Sequence, residues 1–322
     1  MTTMTTMTLN DGSTQDLPPA DALGGTNCGC PGVWRFEGAT PGPHVAITAL
    51  IHGNEVCGAT ALWDFIQHAR RPRSGRLTLA FCNLAAFAKL DDANKEECRM
   101  VDEDLNRVWG RLEASPAAME SYEIRRGREI LPFIGDADVL LDIHSMSGEA
   151  PALGLVGRTA KNVAFARRIG VPPLLVQDAG HAAGLRLIDR HPFATPDEPA
   201  VAMLVECGQH FSRAAFEVAA QAVDRTVSVF LDGSGLAPLP AQSVIEVTQA
   251  VTIQSGSFRF TTDWPNMARV PRAGTLVAYD GAVEVRTPYD DAFMIMPASA
   301  RYRRPGLTAV RFGRLVMTLA LS

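Results

Sequence analysis

Three apolar runs of strand length each end on a side chain able to bind a metal or move a proton. In "TALIHGNEVCGATAL" (48–62) the run stops at His52, and Glu55 follows three residues later, where a helix is expected to begin. In "VLLDIHS" it ends on His144, with Asp142 two residues earlier and so on the same side of a strand. In "AVAMLVECG" it reaches Glu206, a carboxylate costly to bury unless it is paired or put to use. A histidine and a carboxylate at i, i+3 are good zinc ligands, and Gly53 between them lets the backbone turn closely. A catalytic zinc takes three protein ligands and keeps a position for water, so a third ligand must come from elsewhere. Metal-bound histidines usually donate their second N–H to a carboxylate, and Asp142 is the candidate, towards either His52 or His144. One such pattern recurs by chance, and a lone strand-end histidine is more often structural. The weight lies in three strand ends together.

These side chains need strands and turns to carry them. "HVAITALI" (44–51), "RLTLAFCNL" (76–84), "ADVLLDIH" (137–144) and "AVAMLVECG" (200–208) read as buried strands with amphipathic stretches between them. That alternation predicts an α/β fold, a mixed sheet with central parallel strands and flanking helices, whose carboxyl strand ends line a ligand crevice. Ser115 followed by Pro116 signals one helix start. Ser212 signals another, with Phe216, Ala220, Val223, Val227 and Phe230 as its apolar stripe. After Gly233 the texture changes: a glycine- and proline-rich linker (233–242) leads into short β-like runs, with Asp280-Gly281 as a type I′ hairpin signal. The expected organisation is a flexible leader (1–25), a catalytic domain (26–232), the linker, and a small all-β domain (243–322).

Composition bounds the function classes. The 322 residues exceed a typical single domain and carry a net charge of -5 with 47% hydrophobic residues. No basic stripe with interleaved aromatics suggests nucleic acid, and no run approaches a membrane span. Six cysteines are too few for a disulfide scaffold, which points to a reduced, cytoplasmic protein. Cys28 and Cys30 lack a second pair of matching spacing and read as unligated. His44, His68, His181 and His191 have no ligand-spaced partner and read as structural or solvent-facing, while His210, just after "ECGQ", lies nearer the crevice.

Between the first and third strands stands the charged stretch "RMVDEDLNRVW" (99–109). With it, four motifs fall in one order: "HGNE" (52–55), "RMVDEDLNR" (99–107), "DIH" (142–144) and "VECG" (205–208). The set resembles the aspartoacylase and succinylglutamate desuccinylase family, relatives of the zinc carboxypeptidases, over roughly residues 40 to 312. "TPYDDAFMIMP" (287–297) looks like part of that family's C-terminal domain. The resemblance implies a zinc carboxypeptidase-like fold and one zinc per chain held by His52, Glu55 and His144. It makes Glu206 the general base, Arg99 the group that polarises the scissile carbonyl, and Asn106 and Arg107 the holders of a substrate carboxylate. Asp104 would support that loop, Asp142 would orient a histidine, and Tyr289 would bind substrate. A second substrate arginine has no direct counterpart: Pro196 stands at its spacing, with Arg186 and Arg190 as substitutes, which weighs against N-acetylaspartate itself.

The chemistry coheres with those assignments. Zinc lowers the pKa of bound water from about 15.7 to near 7, Glu206 can carry a proton to the leaving amine, and an arginine fork suits a carboxylate. The expected partner is a small N-acyl amino acid, with a homo-oligomer left open. Two other readings share the ligands: a zinc carboxypeptidase acting on peptides, which needs an open groove, and a non-catalytic metal-binding protein, which would not need Glu206 or Arg99.

Overall fold

The computed structural model describes residues 5–93, 95–113, 120–181, 183–233 and 241–319. The first part of the chain forms β1 (Thr5–Thr8), β2 (Thr14–Leu17), α1 (Ala20–Leu23), β3 (Val33–Glu37), β4 (Thr40–Ala49), α2 (Val56–Gln67), β5 (Ser74–Phe81) and α3 (Leu84–Phe87). Next come α4 (Tyr122–Ile134), β6 (Val139–Met146), β7 (Leu153–Leu155), α5 (Ala160–Ile169), β8 (Leu174–Gln177), β9 (Val201–Gln209) and α6 (Arg213–Val227). The C-terminal part is β-rich: β10 (Gln242–Thr252), β11 (Phe258–Phe260), β12 (Ala268–Val270), β13 (Leu276–Asp280), β14 (Val283–Arg286), β15 (Ala292–Ile295) and β16 (Thr308–Leu319).

The spine is a mixed sheet in the order β12-β15-β16-β10-β8-β7-β9-β6-β4-β5-β3. The four long apolar runs supply its parallel centre, β9-β6-β4-β5. Their alternation sorts side chains onto two faces. Ile47, Ala49, Leu141, Ile143, Met203 and Val205 pack in the core with Leu62 and Phe65 of α2 and Ala219 and Val223 of α6. Ala46, Leu140, Ala202 and Leu204 face the opposite core, with Ile124 and Ile130 of α4 and with Leu105 and Val108. Burying both faces explains why these runs read as nearly continuous apolar sequence.

The expectation of an α/β mixed sheet with added C-terminal β structure holds, and local details differ. Residues 5–24 are not a flexible leader: β1 and β2 pair as a hairpin, and Met7, Leu9, Leu17 and Leu23 are buried. Threonines between those apolar residues made the segment look polar. Ser212 caps α6, accepting a hydrogen bond from Ala215 N–H, but the buried stripe runs through Ala219 rather than the exposed Ala220. Ser115 and Pro116 lie outside the described residues; α4 starts after Ser121, whose hydroxyl accepts from Ile124 N–H. In the β13–β14 hairpin only Gly281 takes a positive φ (63°), while Asp280 stays in β13 and its carboxylate accepts the N–H groups of Gln254 and Ser255. Among the described residues no helix is long and apolar enough to cross a membrane.

Strand β10 pairs in parallel with β8 and antiparallel with β16, so the C-terminal strands continue the catalytic sheet. They also reach back over its carboxyl edge. Asn266 Nδ2 lies 3.3 Å from Met146 Sδ at the end of β6, and Arg301 lies 3.9 Å from Glu96.

Candidate active site

The chain leaves β4 through Leu50, a non-glycine residue at φ 56°, a conformation that recurs where surrounding structure fixes a functional turn. His52 follows in that turn, and Glu55 occupies the position just before α2. Gly53 between them has no alternative: a Cβ there would come within 2.4 Å of Cys98 O, and its N–H donates to Arg99 O at 3.0 Å. The close approach pins the segment bearing Arg99 against the turn bearing His52.

His52, Glu55 and His144 are buried, and their ligand atoms lie within 4.8 Å of one another. Both Nδ1 atoms face Glu55: His52 Nδ1 is 2.7 Å from Oε1 and His144 Nδ1 is 2.8 Å from Oε2. Each Nε2 points away to its own carboxylate, His52 to Asp104 Oδ1 (2.9 Å) and His144 to Asp142 Oδ2 (2.9 Å). Asp142 therefore serves His144, and Thr48 Oγ1 donates to its other oxygen at 2.6 Å. Asp104 serves His52 while also accepting Asn106 N–H (2.8 Å) and Arg99 Nη2 (3.2 Å). Carboxylates behind both rings are the arrangement that orients metal-binding imidazoles.

Charge in the cluster is balanced at close range. Burial opposes it, yet His52 and His144 hold the Glu55 carboxyl well below the usual range. His144 is in turn held well above its ordinary value, against burial, by Asp142 and Glu55. The donor set of two imidazoles and a carboxylate fits zinc. A buried polar atom supports the fit: Glu206 Oε2 has no hydrogen-bond partner among the described residues. Glu206 lies beside His144 in register on β9. Its carboxyl is pushed up to about 8 by burial, with Glu55 and Asp142 adding to the shift and His144 and Arg99 opposing it.

Residues 41–223 match the succinylglutamate desuccinylase/aspartoacylase catalytic domain, more than half of the chain. The chain belongs to the succinylglutamate desuccinylase/aspartoacylase family. Among solved structures, a succinylglutamate desuccinylase from Vibrio parahaemolyticus superposes with a TM-score of 0.66 at 14% identity, covering 85% of this chain and 82% of that one. Murine aminoacylase 3 gives 0.58 at 19% identity over 87% and 98% of the two chains. An ectoine utilization protein from Ruegeria pomeroyi gives 0.59 at 16% identity over 87% of each. At these identities the likeness is one of fold. Among curated proteins no significant sequence match is found.

The stretch 99–107 is shaped by a residue that the sequence did not announce. Glu123 of α4 is wholly buried, and its carboxylate accepts the N–H groups of Val101 (2.7 Å), Asp102 (3.1 Å) and Glu103 (3.2 Å) and the Asn83 amide (2.9 Å). Arg99 reaches the cluster from this stretch, Nη1 3.2 Å from Glu55 Oε1 and Nη2 2.8 Å from His52 Nε2. Asn106 is buried and accepts Leu187 N–H (3.0 Å) through Oδ1, and Arg107 Nη1 donates to Asn106 O (2.8 Å). Tyr289 does not join them: its hydroxyl pairs with Thr248 (2.6 Å) and its ring lies under Arg314 (4.3 Å). The C-terminal tyrosine that adds to the field at Arg99 is Tyr302. Arg186 is committed to Asp178 (2.6 Å) and Asp189 (2.6 Å). His210 is buried and paired with Ser145 Oγ at 2.8 Å. A recess of about 380 Å³ beside the 178–189 segment, lined by Asn162, Asp178, Leu185 and Asp189 among others, contains none of His52, Glu55 and His144.

Proposed function

We propose that this protein is a zinc-dependent amidohydrolase that removes the acyl group from a small N-acyl amino acid. The observation that carries the reading is the pair of Nδ1 atoms converging on Glu55, each ring backed by its own carboxylate, beside an unpartnered Glu206 oxygen. His52, Glu55 and His144 would hold the ion, one per chain, which when bound supplies Lewis acidity towards a carbonyl and acidifies water.

The chain's own groups do the rest. Glu206 takes a proton from the attacking water and hands it to the departing amine, a task suited to a carboxyl whose proton affinity burial has raised. Arg99, kept cationic against burial by Asp104 and Glu55, donates to the carbonyl oxygen as negative charge builds there. Asn106 spends its carbonyl oxygen on Leu187 and keeps its amide donors for a substrate carboxylate beside Arg107. Contacts of Asn266 and Arg301 with the catalytic part support a roof that limits substrate length. The six cysteines are all free thiols, which suits a cytoplasmic setting.

The test is a panel of N-acyl amino acids, including N-acetylated diamino acids beside the aspartate and glutamate derivatives, assayed with metal-analysed protein. Turnover of at least one small substrate and none of long peptides is expected. Cleavage of long peptides with no activity on the panel would move the assignment to a carboxypeptidase.

A further inference from the structure

The C-terminal strands bring towards the segments of Arg107 and Arg186 a cation that no motif announces. Arg311 and Ile295 are register partners on β16 and β15, so their side chains leave the sheet on the same face. Ile295 is buried in the core that contains Leu105, Val108, Leu187 and Ile188, the residues that bracket Asn106, Arg107 and Arg186. Val310 and Phe312 face the other way, into the core of the C-terminal part. Arg311 is thus aimed at the segments that carry Arg107 and Arg186.

The loop of His181 closes the same space. A Cβ on Gly184 would fall 2.2 Å from Arg107 O, so this loop lies directly on Arg107, and a backbone bridge joins Val108 to Leu185. Ala183 N–H donates to His181 Nδ1 at 3.1 Å, which leaves the ring proton on Nε2. Burial, reinforced by Arg107, Arg311 and Arg186, pushes His181 down to about 3, so the ring is neutral and a single-proton donor. Arg186 is matched by Asp178 and Asp189. Among the described residues nothing pairs with the guanidinium of Arg311, and the one polar contact of the Arg107 guanidinium is the carbonyl of Asn106. Burial lowers the pKa of both arginines and outweighs the opposing pull of Asp104 on Arg107 and of Asp178 on Arg311, while neighbouring arginines add to the lowering.

We infer that Arg311, Arg107 and the Nε2–H of His181 form one anion subsite that grips a substrate carboxylate from two parts of the chain, with Arg311 deciding selection for N-acyl amino acids that carry that carboxylate. This rests on the amidohydrolase reading for the identity of the ligand, though not for the existence of the subsite.

The experiment compares metal-loaded, full-length wild type with Arg311→Met and Arg311→Lys. Substrates are an N-acyl amino acid that is turned over and its carboxamide analogues, made at each carboxylate in turn. Arg311→Met should raise KM for the carboxylate form about 10- to 100-fold, the range of a lost charge-assisted contact, with kcat little changed. One carboxamide analogue should be processed equally by wild type and Arg311→Met. Arg311→Lys, which keeps the charge and loses the fork, should fall between them and serves as the folded comparison. An unchanged KM in Arg311→Met, or an equal loss on acid and amide forms, would overturn the inference. A second arm needs no turnover: calorimetric titration with succinate should show binding to wild type and at least about tenfold weaker binding to Arg311→Met. Arg311-dependent succinate binding without any deacylation would remove the amidohydrolase reading and keep the subsite. No succinate binding to wild type, or binding indifferent to Arg311, removes the subsite.

Discussion

His144 and Glu206 are register partners on the adjacent parallel strands β6 and β9, and their side chains leave the sheet on the same face. One strand pair thus sets an imidazole beside a carboxyl group without help from a loop. Glu206→Gln keeps the shape and removes the proton acceptor. It should lower kcat by about 10²- to 10⁴-fold while metal content, measured by elemental analysis, stays at the wild-type level. More than about a tenth of wild-type activity in the variant would assign the base elsewhere.

The two carboxylates behind the rings act at one remove from any ion. His144→Ala deletes one of the three proposed ligands, and the purified variant should lose most of its metal. Asp142→Asn leaves the ligand in place but weakens its orientation by Nε2, so chelator competition should show affinity about 10- to 100-fold lower. Stoichiometric zinc in His144→Ala would sink the ligand assignment.

Leu17 and Met7 sit in a hairpin that is packed, not trailing. Leu17→Ala should cost about 2–5 kcal/mol in urea unfolding, the range for a buried leucine. A change within about 0.5 kcal/mol would match an exposed surface site and put the hairpin outside the core.

His210 gives a pH dependence with a definite sign. Its pKa is pushed from 6.5 down to about 4, first by burial and, against the pull of Glu55, by Arg99, His52 and His144. Between those values the unfolded chain binds a proton that the folded chain refuses, so stability declines as pH falls through the window and the contribution levels off below it. In metal-free protein, His210→Gln should show a shallower decline than wild type over the same range. Parallel curves would show that another group governs acid sensitivity.

What the sequence disclosed depended on segment length and on whether partners were local. The runs ending at His52, His144 and Glu206 are long, apolar and buried on both faces, so their sheet and their shared edge could be read directly. The three residues of β7 and four of β8 carry too little pattern to announce a strand. Asp142 could be named as a second carboxylate, but its choice of His144 over His52 follows from the strand geometry and not from spacing. Glu123 gave no signal in the sequence, because its N–H donors come from a loop some twenty residues away. Tyr302, which adds to the field at Arg99, and Arg311 are brought towards the catalytic part only through the return of the C-terminal strands, whereas the family resemblance pointed to Tyr289.

The parallel seam between β10 and β8 has a mechanical consequence. A covering part joined by a linker alone could swing like a door, but this one shares a ladder of backbone hydrogen bonds with the floor beneath it. Swinging it away would break that ladder, and cutting the chain near residue 240 would strip β8 of one of its two neighbours, leaving β7. The C-terminal part is therefore anchored to the sheet along a strand, and not through the connecting segment alone.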